Sequence, residues 1–165
     1  MLNAGHETST NMLSHGLNEL FNHRDQYKLL QKEPERIDTA IDEILRFQPP
    51  IQINNRRCSE KTMLGDVVIP EGTSVHMVIA GANRDPLQFF EPETFDISRS
   101  PNRHLSFGLG IHICAGINLA RLEAKVAFLS LMSSFREINL VEKPNVANRI
   151  RFREIKEMQI EVFPK

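Results

Sequence analysis

Residues 106–116, SFGLGIHICAG, constrain the fold more than any other stretch of this 165-residue chain. Gly108, Gly110 and Gly116 let the backbone take conformations closed to other residues and approach a flat object closely. A segment from about Gly116 to Ser134 follows at once, apolar nearly all round (Leu119, Leu122, Val126, Phe128, Leu129, Leu131), which predicts a buried helix. Cys114 therefore stands just ahead of a helix N-terminus, where unpaired N–H groups and the positive dipole end stabilise a thiolate. The loop reads as presenting this cysteine, not burying it.

Around that loop the chain divides into helical and β-prone parts. Leu13, Leu17, Leu20 and Phe21 follow helical spacing and predict a helix from near the N-terminus to about Asn22. A short helix over Asp25–Lys32 and a third over Glu35–Phe47 come next; the third carries the stripe Ile37, Ala40, Ile41, Ile44, Leu45 and stops at Pro49-Pro50. Residues 51–80 change texture to short β-prone runs, with turns at Gly65-Asp66 and Pro70-Glu71-Gly72. Residues 81–103 hold Pro86, Pro92 and Pro101 and no periodicity, and read as a long coil, ordered or disordered. Met158, Ile160 and Val162 alternate with Gln159 and Glu161, the period of a half-buried strand. The expected fold class is mainly α with small antiparallel β-sheets.

Length predicts one domain with a real core. A net charge of -1 offers no basic field for nucleic acid and no acidic tail, and no apolar stretch is long enough for a bilayer span. The first residues lack a signal-peptide pattern, so the expectation is a cytoplasmic protein with no membrane partner. Two cysteines, Cys58 and Cys114, allow at most one bridge, which a reducing compartment disfavours.

Taken alone, Cys114 has several readings: a small apolar residue under the helix, a metal ligand, or a nucleophile. A dinucleotide fingerprint fails, because Ile113 stands where G-x-G-x-x-G requires its third glycine. A zinc site finds only His112-x-Cys114 locally. A cysteine hydrolase needs a histidine from elsewhere, with His6, His15, His23, His76 and His104 formally available. Glu43 and Arg46, at i and i+3, read by default as a solvated ion pair, and a helical wheel sets Arg46 opposite the apolar stripe.

Compared with known families, Phe107-Gly108-x-Gly110-x-His112-x-Cys114-x-Gly116 resembles the haem-binding loop of the cytochrome P-450 monooxygenases at every fixed position of F-G-x-G-x-H-x-C-x-G. Ala4-Gly5-His6-Glu7-Thr8-Ser9 is similar to the oxygen-groove segment A-G-x-[DE]-T-[TS] of that family, and Glu43-Ile44-Leu45-Arg46 to its E-x-x-R. Asn83-Arg84-Asp85-Pro86 and Phe95-Asp96-Ile97-Ser98-Arg99 resemble the coil that precedes the loop in soluble bacterial members. The resemblance covers essentially all 165 residues and implies the C-terminal, haem-binding part of such a protein, shorter than half a family member.

The resemblance implies a haem-dependent monooxygenase that inserts one oxygen atom from O2 into a small organic substrate. Its cofactor would be haem b, and its electrons would come from a separate ferredoxin- or flavodoxin-type donor. Cys114 would be the iron ligand. Phe107 would pack near the sulfur and limit water, and Gly108, Gly110 and Gly116 would let the loop lie flat under the ring. His112 and Arg56, with Arg57 adjacent, would meet the propionates; period 2 lets only one of the two arginines point there. Ala4 and Gly5 would open a groove for dioxygen, and Thr8 and Glu7 would handle the protons of oxygen activation. Glu43 and Arg46 would tie their helix to the coil, with Arg99 in place of an arginine many relatives carry at Thr94. Substrate contacts are expected near Ile51–Asn54, around Val75 and in the final hairpin. The runner-up is a non-catalytic haem-binding or protein-interaction fragment.

Overall fold

The computed structural model describes residues 2–165, with side chains from Gly5 onward. Helix α1 (Leu2–Asn22) carries two buried stripes. One is the expected apolar face, with Leu20 and Phe21 buried and Leu13 and Leu17 half-buried, to which buried Met12 adds. The other is polar: Asn11, His15 and Glu19, spaced by four, are each no more than 5% exposed. Partners explain the burial of two of them, since His15 Nε2 meets the Arg153 carbonyl and Glu19 Oε1 accepts from Gln48 Nε2 at 2.9 Å. At Gly16 the helix lies so close to its neighbours that an added Cβ would sit 2.7 Å from Phe128 Cζ and 3.0 Å from Ile44.

Helix α2 (Arg24–Lys32) and, after a 3-10 turn at Pro34–Arg36, helix α3 (Ile37–Phe47) follow as the spacing predicts. Gln48, ahead of Pro49-Pro50, caps α3 with its N–H on Ile44 O at 2.8 Å. Strands β1 (Ile53–Arg57), β2 (Thr62–Leu64), β3 (Val67–Ile69) and β4 (Ser74–Val78) form two antiparallel pairs, β1 with β4 and β2 with β3. Gly65, with φ of 57°, turns the β2–β3 hairpin. Residues Ile79–Ala82 are a helical turn, α4, where a strand end was expected.

The segment after α4 is an ordered coil. Phe89, Phe95 and Ile97 anchor it in the core, and Arg46 reaches from α3 to hold its backbone. Arg46 and Glu43 are therefore not the solvated pair that the helical wheel suggests: both side chains are 0% exposed. The wheel measures direction relative to the apolar stripe. It cannot foresee a coil that covers the opposite face.

Helix α5 (Ile117–Ser134) packs on α1 and α3 through Ala124, Phe128 and Met132. It is not buried all round: Leu119, Leu122 and Val126 are 56–60% exposed. Asp38 and Asp42 of α3 pair with Lys125 (2.9 Å) and Arg121 (2.7 Å), so rising numbers on α3 meet falling numbers on α5 and the two helices run antiparallel. Strands β5 (Phe135–Leu140), β6 (Asn145–Val146), β7 (Ile155–Glu157) and β8 (Ile160–Pro164) complete the chain as pairs β5–β8 and β6–β7. Met158 lies outside β8, which begins at Ile160. No helix among the described residues is long and apolar enough to cross a membrane.

Candidate functional site

The loop is shaped by short backbone bonds. Gly108 N donates to Leu105 O (2.9 Å), Ile113 N to Gly110 O (3.1 Å) and Cys114 N to Phe107 O (2.8 Å), which folds the cysteine back over the phenylalanine. Gly108 and Gly110 hold φ of 73° and 70°, a left-handed region costly for any side chain. A Cβ on Gly116 would lie 3.9 Å from Cys114 Sγ. Cys114 is exposed, as the loop predicts, and Gly116 caps α5 with its carbonyl taking the Ala120 N–H at 2.9 Å.

The approach to the loop is fixed from two sides. Ser106 Oγ donates to Leu45 O (2.6 Å), and Asn83, itself fully buried, accepts the Leu105 N–H (2.8 Å) and donates to Ser106 Oγ (3.0 Å). Sequence reading gave Asn83 no role of its own, because a polar residue in a proline-rich coil carries no periodic signal.

Cys114 opens on a cavity of about 450 Å3 between α1 and the loop. Phe107, Gly108, Leu109 and His112 form the loop wall, and Thr8, Ser9 and Met12 of α1 face them. Arg56, Asn54 and Met77 come from the β1–β4 pair, and Ile51 and Ile79 close the edge. Arg56 lines the cavity, whereas Arg57 turns toward Gly72, where an added Cβ would be 3.6 Å from its Nη2. Val75 pairs with Arg56 in the ladder but is not in the wall; Met77, opposite Asn54, takes the place expected for it. The final hairpin does not line the cavity either. Period 2 from Arg56 through its β4 partner identifies Met77, a signal present in the sequence.

The remaining expectations separate. Thr8 is in the wall, but Glu7, one residue earlier on α1, lies in a shallow depression with His6, Thr10, Asn11, Arg149, Phe152 and Glu154. The side chain of Ala4 lies outside the described residues; at Gly5 an added Cβ would meet nothing within 4 Å, so the space beside it is open. Ser9, unassigned by sequence except as part of the motif, donates to Glu123 Oε2 at 2.8 Å and ties α1 to α5 across the cavity edge. Four of the five histidines open to a hydrolase are engaged elsewhere: His15 with Arg153 O, His23 with Glu19, His76 with Asn55 and His104 with Asp42. His6 lies in the neighbouring depression, not in the wall of the Cys114 cavity. Among the described residues no three His, Cys, Asp or Glu side chains form a metal-binding group.

Glu43 accepts from Arg46 at two points, Nε to Oε2 and Nη2 to Oε1, both 2.8 Å. Arg99 Nε adds contacts of 3.2 and 3.3 Å, Asn102 Nδ2 one of 3.0 Å and the Asp96 N–H one of 2.9 Å. At position 94 the backbone does the work, since the Thr94 carbonyl accepts from both Arg46 and Arg99 at 3.0 Å.

Residues 1–156 match the family model described as Cytochrome P450. The biotin biosynthesis cytochrome P450 of Bacillus subtilis is 43% identical over 139 residues, covering 84% of this chain and 35% of that protein. The beta-dihydromenaquinone-9 omega-hydroxylase of Mycobacterium tuberculosis is 36% identical over all 165 residues, which are 34% of its length. The crystal structure of P450BioI in complex with an acyl carrier protein ligated to hexadec-9Z-enoic acid superposes with a TM-score of 0.93 at 40% identity, over 98% of this chain and 42% of that one. The Bacillus subtilis cytochrome P450 PksS gives a TM-score of 0.94 at 36% identity over 98% and 43%. The chain thus spans between a third and under half the length of these relatives. With the glycine-bound Cys114 loop, the buried Glu43–Arg46 pair and the α+β architecture shared with them, the chain belongs to the cytochrome P450 family.

Proposed function

We propose that this chain is the C-terminal haem-binding part of a cytoplasmic monooxygenase that uses haem b. The observation that carries this reading is the exposed Cys114 thiol, set in left-handed glycine turns and opening on the same apolar cavity as Thr8. The residues present fit such a group. A soft ligand stands at the floor, Gly110 has open space where a side chain would intrude, and the Arg56 guanidinium and the His112 ring, both hydrogen-bond donors, stand in the wall for the propionates.

When bound, thiolate-ligated haem supplies activation of dioxygen for insertion of one oxygen atom into a substrate carbon. Cys114 binds the iron. Phe107 excludes water from the sulfur side, which sets the electron density that the thiolate keeps. Thr8 holds a proton at its hydroxyl on the α1 side of the cavity, and Gly5, one turn earlier, leaves open space on the helix. Glu7, in the neighbouring depression, passes protons from solvent toward Thr8 through a water or a rotamer change. Met12, Ile51, Met77 and Ile79 offer a substrate mainly apolar contact, which suits a small hydrophobic molecule. Electrons come from a ferredoxin- or flavodoxin-type protein.

The test joins this chain to the upstream portion of the B. subtilis biotin biosynthesis relative and supplies a ferredoxin or flavodoxin with its reductase. Labelled dioxygen should place one labelled oxygen atom in a hydroxylated product from a panel of hydrophobic small molecules. Haem-loaded protein that yields product oxygen from water alone would refute the monooxygenase. A second reading, a non-catalytic haem-binding or interaction fragment, is supported by the exposed Leu119, Leu122 and Val126 face of α5. Turnover by these 165 residues alone would overturn it.

A further inference from the structure

Phe107 stands directly behind Cys114, since its carbonyl takes the Cys114 N–H at 2.8 Å and its ring is in the cavity wall. Two side chains outside the motif flank that ring. The His104 ring centroid is 5.8 Å away at a tilt of 50°, and the Arg121 guanidinium carbon is 5.4 Å from the ring centre. Both are fastened to one oxygen of Asp42 on α3: Arg121 Nη2 at 2.7 Å and His104 Nε2 at 3.4 Å. The Ser106 backbone N–H donates to His104 Nδ1 at 3.2 Å, so Nδ1 is the acceptor and the proton sits on Nε2, toward Asp42.

Two details separate this cluster from an ordinary ion pair between helices. Arg121 Nε is buried without a hydrogen-bond partner, so the guanidinium is placed for Asp42 and the ring at the expense of its own hydrogen bonding. One turn away the same helices carry Asp38–Lys125, whose acid is 69% exposed against 29% for Asp42 and whose hydrogen bonds stay between the two helices. Burial alone would raise the Asp42 carboxyl, yet the His104 hydrogen bond and the Arg121 charge hold it below its ordinary value, consistent with an ionised hub.

We infer that Asp42 is a positioning residue for the cysteine loop: through His104 and Arg121 it clamps the Phe107 ring behind Cys114 and so sets how far the thiol is open to the cavity. Its bearing on the iron ligand rests on the function proposed above; the clamp itself does not.

The test uses the full cofactor-free chain with Cys58→Ser, reading the rate at which a soluble aromatic disulfide labels Cys114 and the Phe107 ring resonances by NMR. Asp42→Asn should speed labelling about five- to tenfold and shift those resonances, because the charge that holds both flanks is lost. Asp42→Glu should recover most of the native rate, and Asp38→Asn should leave it unchanged. In a Phe107→Leu background Asp42→Asn should add little, as expected for a residue acting through that ring. If Asp42→Asn does not fold, His104→Gln carries the same expectation at one flank. The clamp is overturned if Asp42→Asn, or His104→Gln in its place, matches Asp38→Asn, or if the acceleration persists undiminished without the Phe107 ring. These readouts need no haem, so they stand or fall separately from the spectrum of the haem-loaded protein.

Discussion

Glu43 and Arg46 face each other across one turn of α3 through two 2.8 Å hydrogen bonds, with neither side chain exposed to solvent. Arg46 also donates to the Asn83, Pro92 and Thr94 carbonyls, so a single guanidinium joins a helix to the coil that delivers the cysteine loop. Truncating one partner strands a buried charge, which typically costs about 3–5 kcal/mol. Arg46→Ala and Glu43→Ala should therefore lose folded protein, as measured by urea denaturation. Arg46→Lys should rescue little, because an ammonium cannot reproduce the planar fork. Arg99→Ala, which leaves that two-point pair intact, should cost less.

Stability should fall on mild acidification through His15. Burial lowers its pKa below 6.5, although the Arg153 carbonyl and Glu19 oppose the shift. A depressed folded pKa means the unfolded chain binds the proton first, so His15 stabilises fully above its unfolded pKa and less as pH drops toward the folded value. The urea midpoint should decline from about pH 7 to about pH 5, and His15→Gln should flatten that slope.

Much of the fold was legible because its signals are periodic. The stripe of α3, the stop at Pro49-Pro50 and the turn at Gly65 all act within one element, and local physics decides them. Cys114, Phe107 and the loop glycines were legible as a motif whose spacing survives into the geometry. What stayed hidden depends on partners distant in sequence. Nothing near Arg46 announces that Pro92 and Thr94 will cover it, nothing near Asn83 points to Ser106, and the buried stripe Asn11, His15, Glu19 looks like a solvent face until Arg153 and Gln48 arrive. On α5 the all-round apolar composition predicts a buried helix, and in this chain one face, Leu119, Leu122 and Val126, is open.

That open face sets an expectation for behaviour in solution. Three large apolar side chains along one helix promote association, so the isolated chain should self-associate and hold haem weakly. Sedimentation should show oligomers that shrink toward monomer in Leu119→Lys/Leu122→Glu/Val126→Lys. A monodisperse monomer with one tightly held haem per chain would contradict this.

Gly16 offers a packing test with opposing terms. Alanine is the better helix former by about 1 kcal/mol, but its methyl would meet Phe128 at 2.7 Å and Ile44 at 3.0 Å, both core side chains. Overpacking typically costs about 1–3 kcal/mol, so Gly16→Ala should destabilise on balance, read as a lower thermal midpoint.

The central claim is that Cys114 is the haem-iron ligand. The most direct measurement is the carbon monoxide difference spectrum of reduced, haem-loaded protein, this chain joined to the upstream portion of a relative, compared among the parent, Cys114→Ser and Cys58→Ser. The parent and Cys58→Ser should show the red-shifted Soret band of thiolate ligation, and Cys114→Ser should lose it while keeping its helical circular dichroism. A histidine-type spectrum in the parent, or the same spectrum in both cysteine variants, would contradict the account.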